Sequence, residues 1–193
     1  MKYKVYVRSF YDKMPDCEYK LVNTTSNSRV EVERTLSPFF LGPVFPGKCL
    51  SENMENAWQY SKVYKHHLNE DGTIKDEYFE WRNKGFAQKW ATRYPMGKNR
   101  SPEFTLLNDD RLGYIEARKA LYIPLYNQSV IYAEGFHYCR EILQSTNLVL
   151  HDYDGYDHEK LNMTMEDVVN NKYRRMGHAF VLKMLLDLNE TYR

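Results

Sequence analysis

Thr164-Met-Glu-Asp-Val-Val-Asn-Asn-Lys-Tyr-Arg-Arg-Met-Gly-His-Ala-Phe-Val-Leu-Lys-Met-Leu-Leu-Asp-Leu188 carries the clearest periodicity in this 193-residue chain. Thr164 followed by Asp167 has the form of a capping box. Val169, Tyr173, Met176, Phe180, Met184 and Leu188 recur at helical spacing, so the stretch predicts a long helix with an apolar stripe. Just upstream, Asn147-Leu-Val-Leu-His-Asp152 is a short apolar run that reads as a strand. A strand feeding a packing helix points to an α+β fold.

The rest of the chain extends this pattern. Lys2 to Tyr11 alternates like a strand, and Tyr19 to Thr25 reads as its partner across a turn at Met14-Pro-Asp16. Leu36 to Gly47 mixes rings with Pro and Gly and predicts a rigid packed loop. A helix is expected from Ser51 to about His67, a second from Asp76 to Thr92, a third from Asp109 to Tyr122 and a fourth from Asn127 to Gln144. Pro124 should kink or end the third. No linker, repeat or low-complexity tract divides the chain. The expectation is one helix-rich α+β domain over residues 1–193 with a small β component, residues 1–30 forming an N-terminal β extension.

Composition narrows the function. Tyr occurs 17 times, 42% of residues are apolar and 27% are charged, which suits a folded core and not a disordered chain. No run is long and apolar enough for a membrane span, and the alternating N-terminus is not a signal peptide. Cys17, Cys49 and Cys139 form an odd, scattered set, which fits a reducing, cytoplasmic setting. No His or Cys spacing matches a zinc site, so no metal is expected. The net charge of +1 predicts no general polyanion affinity. Locally, however, Arg82, Lys84, Lys89, Arg93, Lys98 and Arg100 occur between Trp81 and Ser101 without a single acid.

Three places could carry chemistry. Glu55, Gln59 and Lys62 fall at i, i+4 and i+7, one helix face with Trp58 beside them. Such a row is either a solvated face or a carboxylate held beside an amide and an ammonium, suited to a polar, anionic ligand. The basic stretch is either an amphipathic helix burying Phe86, Trp90 and Tyr94, or a surface for phosphates and bases. Its loop Tyr94-Pro-Met-Gly-Lys-Asn-Arg-Ser101 places Lys98 and Arg100 after Gly97, as a phosphate clamp would. Finally, the strand ending at His151 delivers Asp152 and Asp154 into a loop, a common way to place catalytic carboxylates. A calcium loop would need a distal Glu that this segment lacks.

In order and spacing these pieces resemble the NADAR family, the YbiA-like N-glycosidases. That family has a Ser-Asn-Phe element followed by a Glu-His-x-x-Gln-x-x-Lys helix. Here Ser37-Pro-Phe39 precedes Glu55-Asn-Ala-Trp-Gln59-Tyr-Ser-Lys62. Met96-Gly-Lys-Asn-Arg-Ser101 is similar to the family's Gly-Arg loop, and Asn171 to Gly177 to an altered form of its Gly-Lys-Asn-x-Leu-Gly pattern. Pro38 and Asn56 depart from the family's Asn and His. Leu150 and Asp157 fall near its Glu and its Trp-Gly.

The resemblance implies hydrolysis of a C–N glycosidic bond without a cofactor. The implied substrate is a ribosylamino-pyrimidine phosphate or an ADP-ribosylated guanine, free or carried on DNA. It also implies the roles: Glu55 as catalytic carboxylate, Asp152 or Asp154 as second acid, and Lys62, Lys98 and Arg100 on phosphate. Ser37, Phe39, Asn56, Trp58, Gln59, Gly97 and Tyr156 would line the substrate. The alternative is a binding module for a nucleotide, ADP-ribose or modified nucleic acid that keeps the fold and has lost the chemistry.

Overall fold

The computed structural model describes residues 3–191, with side chains through Leu188. In chain order the elements are β1 (Val5–Arg8), β2 (Tyr19–Asn23), α1 (Glu31–Arg34), α2 (Met54–Tyr60), β3 (Lys62–Val63), α3 (Asp76–Phe86), β4 (Phe104–Leu107), β5 (Asp110–Leu112), α4 (Tyr114–Ala117), α5 (Ile123–Val130), α6 (Glu134–Ile142), β6 (Asn147–His151), α7 (Met165–Asn170) and α8 (His178–Thr191). A 3-10 turn covers Lys65–His67 and a π-helical turn Arg118–Tyr122. The fold is α+β, rich in helix, with two three-stranded sheets. Among the described residues no helix is long and apolar enough to cross a membrane. The chain forms two compact units, one built up to Ser37 and again from Tyr126, the other from Pro38–Leu125.

In the first unit the sheet order is β1-β6-β2, and both outer strands run parallel to β6. The expected hairpin of β1 with β2 does not form. Leu148, Val149 and Leu150 are all buried, so β6 is apolar on both faces. A strand of that kind needs partners on both edges to satisfy its backbone, and it takes the middle position. Val7 and Val22 both register with Leu150. Lys2, the first residue of the expected strand, lies outside the described residues.

The long C-terminal helix is interrupted. The capping box is present, Thr164 and Asp167 bonding reciprocally, but α7 ends at Asn170 and α8 starts at His178. A side chain at Gly177 would collide with the Asp152 carboxylate, so backbone and acid approach directly here. The break rotates the stripe: Tyr173 is 87% exposed, while Ala179, Phe180, Val181, Leu182 and Leu186 form the buried face of α8.

In the second unit Val63, Tyr78 and Leu106 centre a core joined by Phe79, Trp81 and Phe104. The expected helix from Asp109 starts later. Asn108, at φ +54°, turns β4 back onto antiparallel β5, and Gly113 precedes α4. Asn-Asp is turn chemistry, and it overrides the favourable placement of acids in a helical first turn. Pro124 neither ends nor breaks the chain's helix. The Ile123 N–H reaches back five residues to the Arg118 carbonyl, a widened turn that makes room for the proline ring. The helix starting at Asp76 stops at Phe86 instead of Thr92.

Gly85 lies in α3 against the face of Tyr60, and a Cβ there would overlap the ring. Gly85→Ala should therefore destabilise this unit by about 1–3 kcal/mol despite the better helix propensity of alanine. Urea unfolding checks this, and a stabilised variant would contradict it.

Candidate functional site

The polar row on α2 begins with its cap. Asn53 accepts the Asn56 N–H at 2.9 Å, and the Glu55 N–H donates to the Pro38 carbonyl at 3.0 Å. The Ser37–Phe39 segment thus meets the helix through backbone at Pro38. Within α2 the Gln59 Nε2 donates to Glu55 Oε1 at 2.9 Å, and Lys62 Nζ donates to Gln59 Oε1 at 2.7 Å. The helix ends at Tyr60, so Lys62 belongs to β3 and not to the helix expected through His67. It still joins the row because its stem folds back over Trp58, the ammonium standing 4.9 Å from the ring centroid.

Glu55 and Gln59 are buried and Lys62 is half-buried. The row is therefore a carboxylate, an amide and an ammonium relayed by hydrogen bonds, not a solvated face. Trp58 meets Tyr122 edge-on at 5.0 Å and lies 6.5 Å from Tyr114. Arg118 completes the neighbourhood. It is buried, stacks over Tyr114 at 4.3 Å and donates from Nη2 to the Tyr114 hydroxyl at 2.9 Å. It sits at the start of the π-helical turn, and such turns recur at functional sites. Arg118 was not among the candidates, and Tyr114 and Tyr122 were expected only to pack. Their spacing of four from one to the next was the available clue.

Burial lowers the Lys62 ammonium to about 8, against the pull of Glu55 in the opposite direction. The unfolded chain, with an ordinary lysine, binds the extra proton between pH 8 and the usual lysine range. Wild-type stability relative to Lys62→Met should thus rise with pH through that window, by about 3 kcal/mol at most. A flat difference in urea-unfolding free energy between pH 7 and 10 would contradict the assignment.

Asn56 lies in the same helix but serves structure. It is fully buried, its Nδ2 donates to the Gln88 and Trp90 carbonyls at 3.0 Å each, and its Oδ1 accepts the Thr92 N–H at 2.8 Å. Gly97, Lys98 and Arg100 belong to an exposed loop of this unit, turned by Gly97 at φ +89° and Asn99 at φ +67°. Ser37 is buried at the end of α1, its N–H on the Arg34 carbonyl, and Phe39 is half-buried.

The acidic loop forms a second group, in the first unit. Asp152 is buried and binds three ways: Oδ1 accepts the Asp154 N–H, Oδ2 accepts the Ala179 N–H at 3.2 Å, and His178 Nδ1 stands 3.2 Å from Oδ2. The opposite ring nitrogen of His178 is 2.8 Å from the Thr24 carbonyl. Asp152 therefore ties β6 to the start of α8, a structural task whatever else it does. Asp154 is more accessible, with Arg175 Nη1 at 3.6 Å. Tyr156 packs on Phe180 at 4.7 Å with the Arg174 guanidinium 5.3 Å from its ring centroid. Both arginines lie in the Asn171 to Gly177 segment between α7 and α8. Among the described residues no group of three or more His, Cys, Asp or Glu side chains is placed to hold a metal ion.

Compared with known proteins, the chain matches no family model, no curated protein and no solved structure.

Proposed function

We propose that this chain is a NADAR-like N-glycosidase that hydrolyses the C–N bond between a ribose and a base in a phosphoribosylated or ADP-ribosylated substrate. The observation that carries the reading is the Glu55–Gln59–Lys62 relay beside Trp58. Cleavage sends the electron pair of the C1′–N bond to the base nitrogen and leaves positive character on the ribose. Water then adds its oxygen at C1′, and its proton replaces the lost bond on the base. A carboxylate in a partly dry site stabilises the positive centre and takes the water proton. Glu55 fills that role, oriented by Gln59.

Lys62 carries positive charge through neutral pH and suits a phosphate oxygen, while Trp58 walls the base. Arg118 adds a second cation in the same unit, this one buried. The same reading places the protein in the cytoplasm, in keeping with its three free cysteines.

The test is incubation of the purified protein with ADP-ribosylated guanine in DNA and, separately, with a ribosylamino-pyrimidine phosphate. Mass spectrometry should find released ADP-ribose or ribose phosphate from one of them. Intact substrate in both, with tight binding by calorimetry, would instead assign a binding module. The engagement of Asp152 in capping α8 favours that second reading, since it leaves fewer acids for chemistry.

A further inference from the structure

Trp90 is out of place for a folded chain. It is 72% exposed, although its neighbour in the expected stripe, Phe86, is 3% exposed in the core. The cause lies in α2. Asn56 bonds the Gln88 and Trp90 carbonyls and the Thr92 N–H, and Asn53 Nδ2 reaches the Gln88 and Lys89 carbonyls at 3.2 and 3.4 Å. Two buried asparagines thus fix the backbone on both sides of Trp90 while its indole stands in water. Burial of an aromatic side chain of this size ordinarily stabilises a fold, so a rigid backbone that withholds it points to use of the ring itself.

The sequence around it is cationic. Lys84, Lys89, Lys98 and Arg100 are exposed and Arg93 is half-exposed. No acid occurs between Trp81 and Ser101; Glu80 and Glu103 close the stretch, and exposed Glu52 bonds the Phe86 carbonyl through its backbone. The eight residues from Trp90 to Lys98 span at most about 27 Å, and the Gly97 N–H to Tyr94 carbonyl bond at 2.9 Å folds that path back. Lysine-rich surroundings are uncommon at protein–protein contacts. A protruding ring among lysines and arginines matches a strand whose bases are unpaired and whose phosphates are spaced along it.

We propose that this surface docks single-stranded nucleic acid, one base stacking on Trp90 and the flanking phosphates lying along Lys89, Lys98 and Arg100. The contact reads rings and charge and not the sugar, so DNA and RNA strands bind alike, and a duplex, whose bases are stacked away, binds less well. The proposal stands apart from the Glu55 chemistry.

The experiment is fluorescence anisotropy of labelled oligothymidylate and oligouridylate of about twelve nucleotides at about 50 mM salt, with a duplex of the same length. Trp90→Ala should weaken strand binding about tenfold, and Lys98→Gln with Arg100→Gln, which removes two phosphate contacts, should flatten the logarithmic salt dependence by about 1.4. Absence of binding by the wild type, wild-type affinity in Trp90→Ala, an unchanged salt slope or equal affinity for the duplex would each overturn it. So would Trp90-dependent self-association in light scattering without nucleic acid. Release of ribose phosphate from a small substrate should be the same in Trp90→Ala and wild type, so loss of docking and loss of the glycosidase reading are told apart.

Discussion

Glu55→Gln is expected to lower release of ribose phosphate or ADP-ribose by roughly 10²–10⁴-fold while the protein stays folded. The amide is nearly the shape of the carboxylate, and its oxygen can still accept from Gln59, so the relay to Lys62 persists. What disappears is the negative charge beside the developing ribosyl cation and the base that takes a proton from water. The loss should fall mainly on kcat, because the charge matters most in the transition state. Measured turnover within tenfold of wild type would remove Glu55 from the chemistry.

The largest effect on stability is expected at Asp152. Asp152→Ala should lower the unfolding free energy by about 3–5 kcal/mol in urea titration. The substitution strips the buried partner from His178 and leaves the Ala179 and Asp154 N–H groups unmet at the entrance to α8. Asp152→Asn keeps the shape and one acceptor and should be milder. Activity per folded molecule in that variant separates the cap from catalysis. A drop beyond the folded fraction would give Asp152 a chemical role as well, whereas an unaltered stability in Asp152→Ala would remove the structural one.

Local chemistry was legible where a helix or strand satisfies itself. The i, i+4 spacing of Glu55 and Gln59 meant a shared face, and the face exists. The run at Leu148 to Leu150 read as a strand and is one. Pairing was another matter. Nothing local in β1 and β2 reports that β6 inserts between them, because the reason is the two-sided apolarity of a distant segment. The helix boundaries failed where side chains act on remote backbone. Asn56 captures the chain at Gln88 to Thr92 and ends the course toward a longer α3, and Asp152 meets the backbone at Gly177 to Ala179 and divides the C-terminal helix. Lys62 entered the row for a reason that helical spacing did not contain, since it lies on a strand and folds back over Trp58.

The parallel sheet has a consequence in time. β1 and β2 emerge from the ribosome before the second unit, and the strand that joins them emerges only after it. Until then both expose unpaired edges, and closing the sheet must overcome the entropy of a long loop. The stretch between β2 and β6 is thus a waiting period in which Leu21 and Val22 are open to other chains. A nascent chain stalled before Asn147 would be the form most prone to aggregate.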